Sequence, residues 1–309
     1  MLPDQDKVPA PMPSKSEIAA RAVLQHGAAL QEKFPNIVSI SDAVKGKDDY
    51  VIAIYVRDGN TESIPAVLTV SMPDGIKAEI ATEIVANVGT AIPHVSQQTT
   101  NISDSNAPAY TGSICCFVAS TSVPGFIGAV TCGHVLSQGS FNDMGGILEV
   151  PQAGTALLGG APDAYWCFQQ MQYSQDLAIA QLQNQNLLSA DYLSFAAGYY
   201  PVTKNDVQTP AANIRLVAGS KQCDGYILDF NIAFEVAYET PRYVGGIILI
   251  GSTNNKDTSL TLSTEGDSGG CVYHIATGKL IGILVGGNDK FSLVLPVEET
   301  LTSFNFKLI

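Results

Sequence analysis

Three short stretches combine residue types that can do acyl-transfer chemistry. The first is GAVTCGHVL (128–136), where His134 follows an apolar run directly and sits in a turn of small residues. A histidine that serves as a base must reach a nucleophile with one ring nitrogen while the other is held, so it belongs at the end of a rigid element with small neighbours. The second is GDSGG (266–270), with a serine at the centre of a glycine-flanked turn. Glycines let such a backbone aim its amides at one spot, and the N–H groups of Gly266 and Ser268 are the candidates for an oxyanion hole. The third is SQDLAIAQL (174–182), where Asp176 opens an alternating apolar run. A carboxylate buried at the start of a strand can accept a hydrogen bond from an imidazole, fix its tautomer and stabilise the imidazolium. Asp163 and Asp191 compete for this role from less strand-like contexts that suit turn aspartates. His26, His94 and His274 read as ordinary surface or core histidines.

The elements that would position these residues divide into two sets. Residues 1–13 are Pro-rich and read as a disordered leader. Ser14 and Glu17 stand in S-x-x-E spacing before an Ala-rich stretch ending near Lys33, which predicts a capped helix. NIVSISDAV, DYVIAIYVRD and AVLTVSM then read as strands, and KAEIATEIVANVG fits helix or strand. Residues 14–93 are therefore expected to form a small α+β domain. Residues 94–111 are polar and turn-prone, as a linker is. From 112 to 309 the pattern is many short apolar strands: ICCFVAS, FIGAVTC, GILEVPQ, DLAIAQL, NIRLVAG, GYILDFNIAFEVAY, GGIILIG, CVYHIA, KLIGILVGG and FSLVLPV. With no long amphipathic helix between them, they predict β-barrels or a sandwich rather than a parallel α/β sheet. PVEETLTSFNF is expected to supply one short closing helix.

Composition narrows the partners. The 309 residues carry 29 acidic and 16 basic side chains, a formal net charge of −13, with no basic stripe to neutralise a phosphate backbone. Nucleic acid is excluded as a partner on this reading. The sequence contains neither a signal-peptide-length apolar stretch near its start nor a bilayer-spanning run, so a soluble, cytoplasmic protein without a membrane partner is expected. The six cysteines, Cys115, Cys116, Cys132, Cys167, Cys223 and Cys271, show neither CxxC pairs nor scaffold spacing. No metal site and no cofactor are expected.

Taken together, TCGHV (131–135), DLAI (176–179) and GDSGG (266–270) resemble the motifs TAGHV, DIAL and GDSGG of the trypsin/chymotrypsin-like serine peptidases, in the same order His, Asp, Ser. The resemblance covers roughly residues 112–300. It implies a mainly β protein with a chymotrypsin-like double antiparallel β-barrel, here preceded by the small α+β domain. It also implies a catalytic triad of His134, Asp176 and Ser268 in the cleft, hydrolysing a protein or peptide substrate. LIGILVGG (280–287) would then line the specificity pocket and pair with substrate backbone through Leu284, Val285 and Gly286. Leu262 occupies the position six residues before the nucleophile where basic-specific members place an acid, so an apolar or small residue before the scissile bond is expected. GSICCFV does not supply the Ile-Val-Gly-Gly start that pairs with the aspartate before the serine in the animal digestive members, so Asp267 must be satisfied by another partner. The N-terminal domain is similar to small domains that precede peptidase domains in certain bacterial and plant members; residues 14–93 would regulate the cleft or simply stabilise the barrels. The competing reading is a catalytically silent binding or signalling protein on the same fold.

Overall fold

The computed structural model describes residues 13–46, 49–73, 75–93, 102–104, 111–136, 154–158, 161–170, 176–182, 195, 198–207, 209, 211–219, 221–238, 241–252 and 262–309. Nearly all of the expected leader, the GILEVPQ segment, His94 and Asp191 lie outside them, as do the side chains of Asp163 and Cys167. The chain divides into two compact units, Met1–Ala86 and Asn87–Ile309.

The first unit packs one helix on a four-stranded sheet. Helix α1 (Lys15–Lys33) starts on the expected capping box: Ser14 accepts from the Glu17 amide and Glu17 accepts from the Ser14 amide. Ala19, Ala22 and Leu30 face strands β1 (Ile37–Gly46), β2 (Asp49–Val56), β3 (Val67–Ser71) and β4 (Lys77–Val85). The strand order is β1-β2-β4-β3, with β2 and β4 parallel and the other neighbours antiparallel. KAEIATEIV, open between helix and strand in sequence, is strand β4. Ile80 lies opposite Leu68 and joins the same apolar cluster, so cross-strand pairing decides what local propensity leaves open.

The second unit holds two antiparallel systems. Strands β5 (Ile92–Pro93), β6 (Ile102–Asp104), β7 (Thr111–Gly112), β8 (Cys116–Ser120) and β9 (Ile127–Thr131) lead to a single helical turn, α2 (Gly133–Leu136). They are followed by β10 (Gly154–Leu158), β11 (Ala161–Gln170) and β12 (Leu177–Leu182). Seven of these strands and the C-terminal β19 (Phe306–Leu308) form one sheet in the order β19-β8-β9-β12-β11-β10-β6-β7. After α3 (Lys204–Val207) come β13 (Ile214–Ala218), β14 (Lys221–Val236), β15 (Arg242–Gly251), β16 (Cys271–His274), β17 (Leu280–Gly287) and β18 (Ser292–Pro296), with α4 (Glu298–Ser303) before β19. These six strands close on themselves as β13-β14-β15-β18-β17-β16, the ring being completed by β16 pairing with β13. Closure encloses a core of Ile214, Leu216, Ile248, Ile250, Val272 and Ile281, and past Ile283, where the pairing with β16 ends, β17 pairs with β5 instead. The sixteen-residue strand β14 bends round this barrel through three irregularities in its register with β15.

Two expectations about organisation differ from what the chain does. The stretch read as a linker supplies β6, whose Ile102 is buried and pairs with Leu158, and the first residue of β7. The unit boundary falls after Ala86 rather than after residue 93. Residues 88–93 are fastened to the closed barrel by main-chain groups: Asn288 Nδ2 donates to Val88 O, Ala237 N donates to Ala91 O, and β5 pairs with β17. A short polar-looking segment carries no periodicity that would reveal such pairing in sequence.

Candidate active site

His134 and Asp176 come from neighbouring strands of the first sheet. Strand β9 ends at Thr131 and the α2 turn presents His134; β12, which pairs with β9, is entered at Asp176. The carboxylate grips the histidine twice. Oδ1 accepts from the His134 main-chain N–H at 3.0 Å, and Oδ2 accepts from the ring Nδ1 at 2.5 Å. Oδ2 also accepts from the Tyr238 hydroxyl at 2.8 Å. Nδ1 is spent on Asp176, and the other ring nitrogen, Nε2, is buried without a hydrogen-bond partner. Burial drives the Asp176 carboxyl up; the charge of His134 and the donors around it override that and hold it below the ordinary carboxylate value.

Ser268 lies in the turn between Leu262 and β16 on the closed barrel. Its hydroxyl donates to Val285 O at 2.7 Å, while Cys132, two residues before the histidine, donates through Sγ to the preceding carbonyl, Leu284 O, at 3.1 Å. Successive carbonyls of β17 thus receive the serine and the start of the histidine turn, which brings the two halves of the site together. His134, Asp176 and Ser268 are all 0–1% exposed.

Main chain sets the spacing of these halves. Ser113 N donates to Ser268 O at 2.7 Å, Ser113 Oγ donates to Gly266 O at 3.3 Å, and Thr131 Oγ1 donates to Ser113 O at 2.8 Å. A Cβ at Gly112 would stand 2.5 Å from Val135 Cγ2 and 2.7 Å from Ser268 O; one at Gly269, where φ is +89°, would stand 2.1 Å from Ser113 O. Neither position has room for a side chain, which is the physical content of glycine there.

Asp267 finds the other partner that its sequence context requires. Its Oδ2 accepts from Lys221 Nζ at 2.7 Å and from Thr264 N at 2.8 Å. Neither contact was signalled by the sequence, since Lys221 stands 46 residues upstream and reads as an ordinary strand-end cation. Tyr238 was missed for the same reason: it closes an apolar strand pattern 62 residues from Asp176.

Of the residues expected to contact substrate, Leu262 and Leu284 pack in the barrel's apolar cluster with Ile214, Leu216 and Val272. Leu284 belongs to the core because β17 is covered along its whole length, and Leu262, ahead of the serine turn, is buried in the same cluster. Val285 and Gly286 are also buried, and what they offer the site is main chain: Val285 O toward Ser268, and Gly286 and Gly287 toward Pro93 and Ile92 of β5.

Cys132, His134 and Asp176 offer potential ligand atoms within 4.8 Å of one another. The Nδ1 and Oδ2 atoms are bonded to each other and Sγ to Leu284 O, and burial, followed by the charge of Asp176, keeps the Cys132 thiol well above its ordinary value. The arrangement is a hydrogen-bonded cluster rather than a prepared metal site, and the neutral thiol is no nucleophile. Cys115 and Cys271 are likewise pushed up by burial, Cys271 to about 12; Cys115, Cys116, Cys132, Cys223 and Cys271 are free.

The chain is similar to bacterial chymotrypsin-like serine proteases. Among solved structures it matches Cellulomonas bogoriensis chymotrypsin at 16% identity over 68% of this chain and 96% of that one, with a TM-score of 0.43. Thermobifida fusca protease A matches at 14% identity over 68% and 96%, with a TM-score of 0.42. A glutamic acid specific serine protease that uses a histidine triad in substrate binding matches at 17% over 71% and 100%, with a TM-score of 0.44. Neither a protein-family model nor a curated protein sequence matches the chain. Among the described residues, no helix is long and apolar enough to cross a membrane.

Proposed function

We propose that the chain is a serine endopeptidase. The observation that carries this reading is the double grip of Asp176 on His134, which holds the ring by its main-chain N–H and Nδ1 and leaves a buried, unpartnered Nε2 beside the strand that receives Ser268. In the reaction the Ser268 proton passes to Nε2 as Oγ bonds to the peptide carbonyl carbon, and amides of the 266–268 turn hold the oxyanion. The C–N bond then breaks, the imidazolium protonates the leaving amine, and water hydrolyses the acyl-enzyme by the same route. A small or apolar residue before the scissile bond is proposed because the position six residues before Ser268 carries no acid and β17 is glycine-rich; a peptide panel in which Lys, Arg or Glu is preferred would sink that part. For the reaction to start, the Ser268 hydroxyl must leave Val285 O and turn to Nε2.

The regulation expected of residues 14–93 narrows to their last two. An extended peptide held beside Ser268 pairs with β17, the strand whose Val285 O meets the serine. At Gly286 and Gly287 that edge already carries Pro93 and Ile92 of β5, in antiparallel register. The chain thus covers its own substrate edge, and release of β5 opens it.

Fluorophosphonate labelling tests both statements. Modification mapped to Ser268 and abolished by Ser268→Ala supports the peptidase reading; folded chains that resist labelling both as wild type and with β5 released support the silent binding protein. Release is achieved with Ala91→Asp, which puts a carboxylate at a fully buried position bridged to Val236. Labelling at least tenfold faster in that variant is expected; an equal rate removes the self-covering edge.

A further inference from the structure

Asp176 is 1% exposed, and a carboxylate so buried is tolerated only when its oxygens are filled by donors. Two of the donors belong to His134 itself. The third, the Tyr238 hydroxyl, comes from the other barrel, two residues past the end of β14. Tyr238 is 8% exposed, and its ring lies tilted against the His134 ring with centroids 5.9 Å apart. We propose that Tyr238 is the positioning residue of the His134–Asp176 pair: its hydroxyl takes a share of the Asp176 charge and ties the pair to the barrel that carries Ser268. The catalytic meaning of this assignment rests on the peptidase reading; its hydrogen-bonding part does not.

The chemistry of a phenol suits the place. A Lys or Arg aimed at Oδ2 would neutralise the carboxylate and remove the charge that stabilises an imidazolium. A hydroxyl with an ordinary phenolic pKa of about 10 stays a neutral donor across the range where a histidine works, so it draws charge from Oδ2 without cancelling it. It also fills the second lone pair of Oδ2, which fixes the carboxylate plane and with it the direction in which Nε2 points. The titratable groups that meet here are Cys132, whose thiol stays neutral, His134, Asp176 and Tyr238. Phenylalanine would fill the same volume, so Tyr238→Phe removes the hydroxyl alone.

The test is the titration of the His134 ring by NMR in ring-labelled protein, wild type against Tyr238→Phe. Without the hydroxyl more charge rests on Oδ2, the imidazolium is favoured, and the midpoint rises by roughly half a pH unit. The acid limb of kcat/KM moves up with it, while kcat falls about tenfold and KM holds within about twofold. A midpoint that does not move, with only thermal stability lowered, means a packing role and overturns the assignment. Should Tyr238→Phe not fold, a fluorinated tyrosine placed at 238 gives the opposite displacement, because its more acidic hydroxyl donates more strongly; no displacement again overturns it. The titration needs no turnover, so a shifted midpoint in a chain that never labels at Ser268 would retain Tyr238 and refute the peptidase instead.

Discussion

Two aspartates flank the candidate nucleophile, and they are satisfied in different ways. Asp267 is its chain neighbour and is held by Lys221 and Thr264, a cation at the end of its own stem and the local turn. Asp176 is held by His134 and Tyr238, and the histidine has a second nitrogen that points elsewhere. The first set of bonds ends where it begins and therefore fastens the 264–268 turn. The second passes an electrostatic influence through a ring to an atom that can accept a proton. Similar burial and similar partner numbers thus leave every bond spent in one place and an unpartnered ring nitrogen in the other.

Neutralising each carboxylate separates the two roles. Asp176→Asn is expected to lower kcat about 10⁴-fold by presenting the wrong tautomer of His134, with the fold retained, as read by steady-state hydrolysis of a peptide substrate and by circular dichroism. Lys221→Met leaves Asp267 with Thr264 alone. Because the lysine is partly exposed, the cost is modest, about 1 kcal/mol of stability in denaturant unfolding and a kcat lower by roughly tenfold as the turn loosens. A variant at 221 that matched Asp176→Asn in rate loss would erase the distinction. The smallest effect is on acid stability. The folded-state pKa of Asp176 is depressed, so its contribution is present above the unfolded carboxylate value of about 4 and is lost as pH falls through the folded value. Below about pH 4 the wild-type Tm should therefore drop more steeply than that of Asp176→Asn, as followed by scanning fluorimetry.

The parts of the site legible in sequence are those whose neighbours along the chain do the shaping. A histidine after an apolar strand, an aspartate opening one and a serine among glycines each carry their context with them, and the structure brings His134 and Asp176 into contact and hydrogen-bonds the Ser268 turn to β17. The β-rich architecture was legible for the same reason, since ten apolar runs alternate with turn residues. Lys221 and Tyr238 act across the fold, and a lone tyrosine at a strand end has no local mark of its target. β5 and β6 were read as part of the N-terminal domain and as linker because main-chain pairing leaves no side-chain pattern in a two- or three-residue strand. Leu262 and Leu284 carry a positional expectation from the resemblance, and both pack into the apolar cluster of the closed barrel, Leu284 on the fully covered strand β17.

The bare main-chain crossing at Gly112, Ser113 and Gly269 has a consequence for how such a sequence can drift. Peptide groups in direct contact set the distance between the histidine-bearing and serine-bearing halves, with the buried Val135 side chain closing over Gly112. A close-packed interior transmits strain, so swelling Val135 or adding a Cβ at either glycine is passed on to that crossing rather than absorbed. The room for a new side chain is therefore least where the two halves touch, at Gly112 and Gly269.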